Sequence, residues 1–281
     1  MKKNLLIAVV FVGIFSTNLN AQEFLPKIKI DKQEKTLHSQ WKGKRIAFLG
    51  DSMTDPRRVG TNSIYWEYLS ELLGIVPVVY GQNGHQWDGI YNQAKKLNAE
   101  KGNDIDAVFI FAGTNDYNQG LPIGEFFSYS KRTTNSDGKE TDLNYRTPLM
   151  NDSTFCGRIN QVMSYLKETY PQQQIVLLTP IHRGYAKFGK GNVQPEENFA
   201  NRAGLFIDDY VETIRKAGSV WSVPVIDLYA MSGLFPLSDS HLQYFAKKET
   251  DRLHPNASGH YRIAKTLQYQ LLALPSGFTN K

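Results

Sequence analysis

Five short apolar runs alternate with helical patterns along this chain, and that alternation limits the folds open to it. The runs are 45–49 "RIAFL", 76–80 "VPVVY", 107–112 "AVFIFA", 175–179 "IVLLT" and 223–228 "VPVIDL". They are rich in Val, Ile and Phe and nearly continuous, as expected for strands covered on both faces. Helical patterns lie between and after them, at 63–74, 90–100, 154–170, 198–217 and 257–273. The first ends on Gly74, a stop signal, and the last begins after Asn256, a good N-cap. Repeated strand–helix alternation predicts an α/β fold with a parallel sheet and right-handed crossovers. With 281 residues, 41% of them hydrophobic, the chain can bury a core that needs no metal or disulfide staple.

One segment breaks the rhythm. Residues 118–153 contain "KRTTNSDGKETDLNYRTP", polar and rich in turn residues. It is too long for an ordinary connection and is expected to be a functional or a mobile loop. Residues 22–43 are polar and lysine-rich and read as a lead-in to a domain spanning 44–281. The first residues have the pattern of a secretory signal peptide, 1–21: Lys2 and Lys3, an apolar run from Leu5 to Phe15, then "LNA" before Gln22. The run is short for a bilayer span, and no later segment reaches transmembrane length. The chain is therefore expected to be exported, to the periplasm or beyond, with no integral membrane span. Cys156 is the lone cysteine, so no internal disulfide can form. Its helical, apolar setting predicts a buried, inert thiol. The net charge is +5, or +3 once Lys2 and Lys3 are removed, and the basic residues are scattered. That is too little to imply nucleic acid, and no nucleic-acid partner is expected.

Ligands of open parallel sheets bind beyond the carboxyl ends of the strands. The first run is followed by Gly50-Asp51-Ser52, the second by Gly81-Gln82-Asn83-Gly84-His85 and the third by "GTND", Gly113 to Asp116. His182 and Arg183 follow the fourth. After the fifth, beyond a loop, comes "DRLHPN" with Asp251 and His254. A serine, a histidine, a carboxylate and an amide thus converge on one sheet edge from distant positions. This set suits acyl transfer. There is no H-E-x-x-H, cysteine pair, P-loop or G-x-G-x-x-G, so neither a metal nor a nucleotide cofactor is expected.

The four blocks "GDSMTD", "GQNGHQ", "GTND" and "DRLHP", in this order, resemble those of the SGNH, or GDSL, hydrolases over roughly residues 44–273. The resemblance implies a flavodoxin-like three-layer α/β/α sandwich on a five-stranded parallel sheet, with metal-free esterase or lipase chemistry. It also implies roles. Ser52 would be the nucleophile, His254 the base and Asp251 its orienting partner. Ser52 and Gly84, through backbone N–H, and Asn115, through its amide, would form an oxyanion hole. Arg252 stands where the family often has glycine; it would either pair with Asp251 or point to solvent. Asp55 and Asp116 are expected to make local hydrogen bonds.

Two features bear on the substrate. The 118–153 insertion is polar in its middle, unlike a lipase lid, which needs an apolar face. The strand-end loops carry His85, Trp87, Tyr117, His182 and Arg183. Rings mixed with hydrogen-bonding groups suit a sugar, although the same aromatics could be core packing, and His182 and Arg183 could be solvated loop residues. The expectation is a short-chain, acetyl-type esterase acting on a small-molecule or glycan ester. A lipase or lysophospholipase and a silent glycan-binding module are the alternatives.

Overall fold

The computed structural model describes residues 27, 29 and 39–274. The signal sequence expected at 1–21 lies outside the described residues. In chain order the elements begin with β1 (Arg45–Gly50), α1 (Tyr65–Leu73), β2 (Val76–Val79), α2 (Trp87–Lys101), β3 (Ala107–Phe111) and α3 (Thr114–Gln119). A long hairpin follows, β4 (Phe127–Ser136) and β5 (Lys139–Pro148). Then come α4 (Phe155–Thr169), β6 (Gln174–Leu178), a small hairpin of β7 (Ala186–Gly189) and β8 (Asn192–Gln194), and α5 (Ile207–Trp221). The chain ends with β9 (Val225–Ile226), α6 (Leu228–Met231), β10 (Phe245–Lys247), β11 (Asp251–Pro255) and α7 (Ala257–Ala273).

The five expected strands form one parallel sheet in the order β2-β1-β3-β6-β9. Successive side chains of a strand face opposite ways. On β1, Ala47 and Leu49 join Val108, Ile110 and Leu177 under α2, α4 and α5. Ile46 and Phe48 join Phe109, Phe111 and Val176 under α1 and α7. Two apolar layers therefore sandwich the sheet, which explains why the strands read as unbroken apolar runs. The strand order reverses at β1, so the ends of β1 and β3 border the topological switch point where such sheets take their ligands.

Three local expectations need correction. Residues 118–153 are not a loop: most of them form the β4–β5 hairpin, paired from Phe127↔Pro148 to Ser136↔Lys139. Asp137 (φ 52°) and Gly138 (φ 79°) close it, the left-handed pair a two-residue hairpin turn requires. The helix expected at 198–217 is α5, which starts at Ile207. Before it, the Asn201 carboxamide accepts the backbone N–H groups of Ala203 (2.9 Å) and Leu205 (3.1 Å), a local turn that competes with helix. Trp41, in the expected lead-in, is fully buried and donates its indole N–H to the Leu271 carbonyl at 2.9 Å. A second, antiparallel sheet, β10-β11-β7-β8, was not foreseen.

Candidate active site

β1 ends in a turn that lifts Ser52 off the sheet. The Asp51 carbonyl accepts N–H groups from Thr54 and Asp55, each at 3.0 Å, and its carboxylate accepts Met53 N–H at 3.0 Å. Gly50 is required by close approach: a Cβ there would lie 2.4 Å from Thr54 Oγ1 and 2.7 Å from the Phe111 carbonyl. Buried Gln93 grips the same residue from α2. It accepts from Gly50 N–H at 2.9 Å and donates to the Gly50 carbonyl at 2.8 Å.

Ser52 meets a histidine from the far end of the chain. His254 Nε2 lies 3.0 Å from Ser52 Oγ, and His254 Nδ1 lies 3.0 Å from Asp251 Oδ2. Asp251 Oδ1 also accepts the backbone N–H groups of Leu253 (3.2 Å) and His254 (3.0 Å), so the carboxylate is held from two sides. Facing an acceptor, Nδ1 carries the proton, which leaves Nε2 free to accept from the serine hydroxyl. All three residues are buried, and Ser52 and His254 border a cleft. β11 carries Asp251 and His254 in extended conformation, as Pro255 favours. Asn256 then starts α7 by accepting from Ser258 and Gly259 N–H. Gly60 (φ 74°) packs against the histidine: a Cβ there would lie 2.8 Å from His254 Cβ. β7 pairs with β11 at Asp251↔Ala186, and Lys187 N–H donates to the Thr250 carbonyl at 2.7 Å. The small hairpin is thus hydrogen-bonded to the Asp–His strand itself.

The other two blocks close the same cleft. Gly84 (φ 81°) sits in a turn where His85 N–H donates to the Gln82 carbonyl at 3.2 Å. Asp55 ties that turn to the serine loop by accepting Asn83 N–H at 2.7 Å. Asn115, in the first turn of α3, donates one amide N–H to the His85 carbonyl at 3.0 Å. Ser52, Gly84, Asn115 and His254 all border a cleft of ≈ 640 Å³. The chemistry such a cleft can support is attack on an ester carbonyl, with donors beside the place where its oxygen becomes negative.

The model of the GDSL-like Lipase/Acylhydrolase family matches residues 48–262. The chain belongs to this family. The protein is accordingly a hydrolase acting on ester bonds. No curated protein matches its sequence. Among solved structures, a protein from Lactobacillus plantarum is 24% identical, with a TM-score of 0.61 over 82% of this chain and 97% of its own. A possible lipase from Chitinophaga pinensis is 20% identical, with a TM-score of 0.60 over 81% and 97%. An acetylxylan esterase from Geobacillus stearothermophilus is 19% identical, with a TM-score of 0.50 over 82% and 94%. These likenesses establish a shared SGNH hydrolase fold.

Burial sets the electrostatics around the acylhydrolase cleft. The Asp51 carboxyl is raised to about 6 by burial, offset in part by the Met53 N–H bond and the His254 charge. Asp116, at the start of α3, is raised to about 7 by burial despite the Trp87 N–H bond and Arg158. His260, stacked on Tyr65 beneath the site, is lowered to about 3 by burial and stays neutral. Burial also raises the Cys156 thiol to about 12, in keeping with an inert core cysteine. Asp55 makes the local bonds expected of it, to Arg57 and Asn83. Arg252 does not pair with Asp251; its guanidinium donates to the Lys248 carbonyl and to Asp239.

The five residues expected to bind substrate do not line this cleft. Trp87 is 1% exposed and packs edge-on against Phe155 in the core. Tyr117 is buried, with its hydroxyl donating to the Phe199 carbonyl at 2.6 Å. Arg183 is 1% exposed and donates to the carbonyl and hydroxyl of Thr114 and to Gln194 Oε1. His182 lies against the Tyr229 ring and contacts Glu197 at 2.5 Å. His85 faces a separate cleft of ≈ 680 Å³ behind the Gly84 turn, beside Asp55 and Lys96. The cleft wall is built instead by the β7–β8 hairpin, through Phe188, Asn192, Val193 and Gln194, together with Asn118 and Gln119. Apart from the Gly-Lys-Gly tip, strands of four and three residues leave little signal in a sequence.

Proposed function

We propose that this acylhydrolase is an exported serine esterase that removes short acyl groups, acetyl above all, from a carbohydrate. The observation that carries the mechanism is the unbroken contact line from Ser52 Oγ through His254 to Asp251, 3.0 Å at each step. His254 Nε2 takes the serine proton as Oγ bonds to the ester carbonyl carbon. The carbonyl oxygen, now negative, receives N–H groups from Ser52, Gly84 and the Asn115 amide. As the carbon–oxygen bond to the alcohol breaks, His254 returns the proton to the departing oxygen. Water then repeats the sequence on the acyl-serine and releases the acid. Asp251 keeps the imidazole in the required tautomer and stabilises its charged form without taking the proton.

The short-acyl reading is supported by a cleft bordered largely by carboxamides and glycines. The β4–β5 hairpin, polar and exposed along nearly its whole length, lacks the contiguous apolar face of a lipase lid. No helix among the described residues is long and apolar enough to cross a membrane. Export rests on the pattern of residues 1–21, and intact mass of the exported protein should begin at Gln22. Rates on 4-nitrophenyl esters from acetyl to decanoyl test the acyl preference. They should fall with chain length and vanish in Ser52→Ala. A kcat/KM that climbs towards decanoyl would favour a lipase instead.

A further inference from the structure

The alcohol half of the substrate has to leave beside His254, because that ring must protonate it. The element next to His254 is the β7–β8 hairpin. Phe188, 44% exposed, lies with its ring 5.4 Å from the His254 ring, and Asn192 and Gln194 border the same cleft. These side chains are ordered from below. Buried Arg183 is anchored on Thr114 and donates to Gln194 Oε1 at 2.7 Å. Gln194 in turn donates its amide to Asn192 Oδ1 at 3.2 Å. The relay fixes the Asn192 carboxamide with its oxygen occupied and its N–H groups left for a ligand. Among the described residues no Asp, Glu, Lys or Arg borders the cleft, whereas six of those lining it carry carboxamides. The hairpin's lysines, Lys187 and Lys190, are exposed and outside the lining.

We propose that the hairpin Ala186–Gln194 is the subsite for the leaving alcohol and is built for an uncharged sugar ring. Phe188 is the platform for the ring's C–H face. Asn192, held by Gln194 and Arg183, donates to its hydroxyl oxygens. A carboxylate-bearing sugar would lose water there without gaining a counter-charge from the lining. The proposal rests on the esterase reading above, since it needs His254 to serve the leaving group.

The test compares kcat/KM for an acetylated methyl xyloside, an acetylated methyl glucuronide and 4-nitrophenyl acetate. The intact enzyme should prefer the xyloside to the glucuronide by about tenfold or more, the penalty expected for burying an unpaired charge. Phe188→Ala and Asn192→Ala alter exposed side chains and should fold. Each should lower the ratio of xyloside to 4-nitrophenyl acetate by on the order of fivefold, mainly through KM, as loss of one contact implies. A glucuronide turned over as well as the xyloside, an unaltered ratio in both variants, or no turnover of either glycoside would overturn the subsite while 4-nitrophenyl acetate hydrolysis left the esterase standing. Undiminished 4-nitrophenyl acetate hydrolysis by Ser52→Ala would instead remove the reading beneath it.

Discussion

Gly60→Ala should disable the enzyme while leaving it folded. Gly60 has φ 74°, a region that costs a residue with a Cβ about 1–2 kcal/mol. The added Cβ would lie 2.8 Å from His254 Cβ and 3.1 Å from Ala246 Cβ. Carbon atoms settle near ~3.5 Å or more, so one side must retreat by roughly 0.7 Å. Both neighbouring atoms are Cβ atoms fixed to the backbone, so no flexible side chain can absorb the shift. Movement of that size at a catalytic group is worth about 100-fold in rate. The expected result is kcat on 4-nitrophenyl acetate down by about 100-fold, with Tm lower by roughly 2–8 °C. Gly43→Ala is the control. It has φ 77° but nothing within 4 Å of its Cβ, so it should lose similar stability and keep its rate. Full activity in Gly60→Ala, or an equal loss in Gly43→Ala, would refute the claim that Gly60 seats the histidine.

Asn115→Ala should lower kcat by about 100- to 1000-fold with little change in KM, since the donor acts on charge that develops in the transition state. An unchanged kcat with raised KM, read from steady-state kinetics, would reassign it to ground-state binding. Asp116 makes a pH prediction. Its carboxyl is raised to about 7 when folded from 3.8 when unfolded, so the folded state holds its proton longer. Its contribution to stability is therefore complete at about pH 4 and is lost as pH rises through 7. The Tm of Asp116→Asn relative to the unsubstituted protein should thus rise between pH 4 and 7 in thermal melts, and a flat difference would contradict it.

The parallel sheet was legible because each strand is covered on both faces and reads as an unbroken apolar run. Three of the four site blocks were legible because each follows such a run, and β1 and β3 flank the switch point; the fourth, with Asp251 and His254, lies on β11 of the second sheet and is marked only by its own residues. What failed has particular causes. Trp87 follows a strand end, where substrate contact and core packing both stay open, yet Trp87, Ile90, Ala94 and Leu97 fall at helical spacing, and all four are core residues of α2. Arg183 carried no warning, since a guanidinium is rarely buried unless paired, and its partners Thr114 and Gln194 are remote in sequence. The β4–β5 hairpin does carry a signal, Asp137-Gly138, but it stands in a stretch as polar as a loop. Gly60 looked like any turn glycine. Its role depends on a tertiary contact with His254, 194 positions away, that no local pattern encodes.

The proposed mechanism requires Ser52 to form the covalent acyl intermediate, activated by His254. A serine-directed fluorophosphonate tests it directly, with peptide mass mapping of the adduct. One adduct per chain is expected, on Ser52, that blocks esterase activity and forms far more slowly in His254→Ala. An adduct on another residue, or an unlabelled Ser52 in enzyme that the reagent has inactivated, would contradict it.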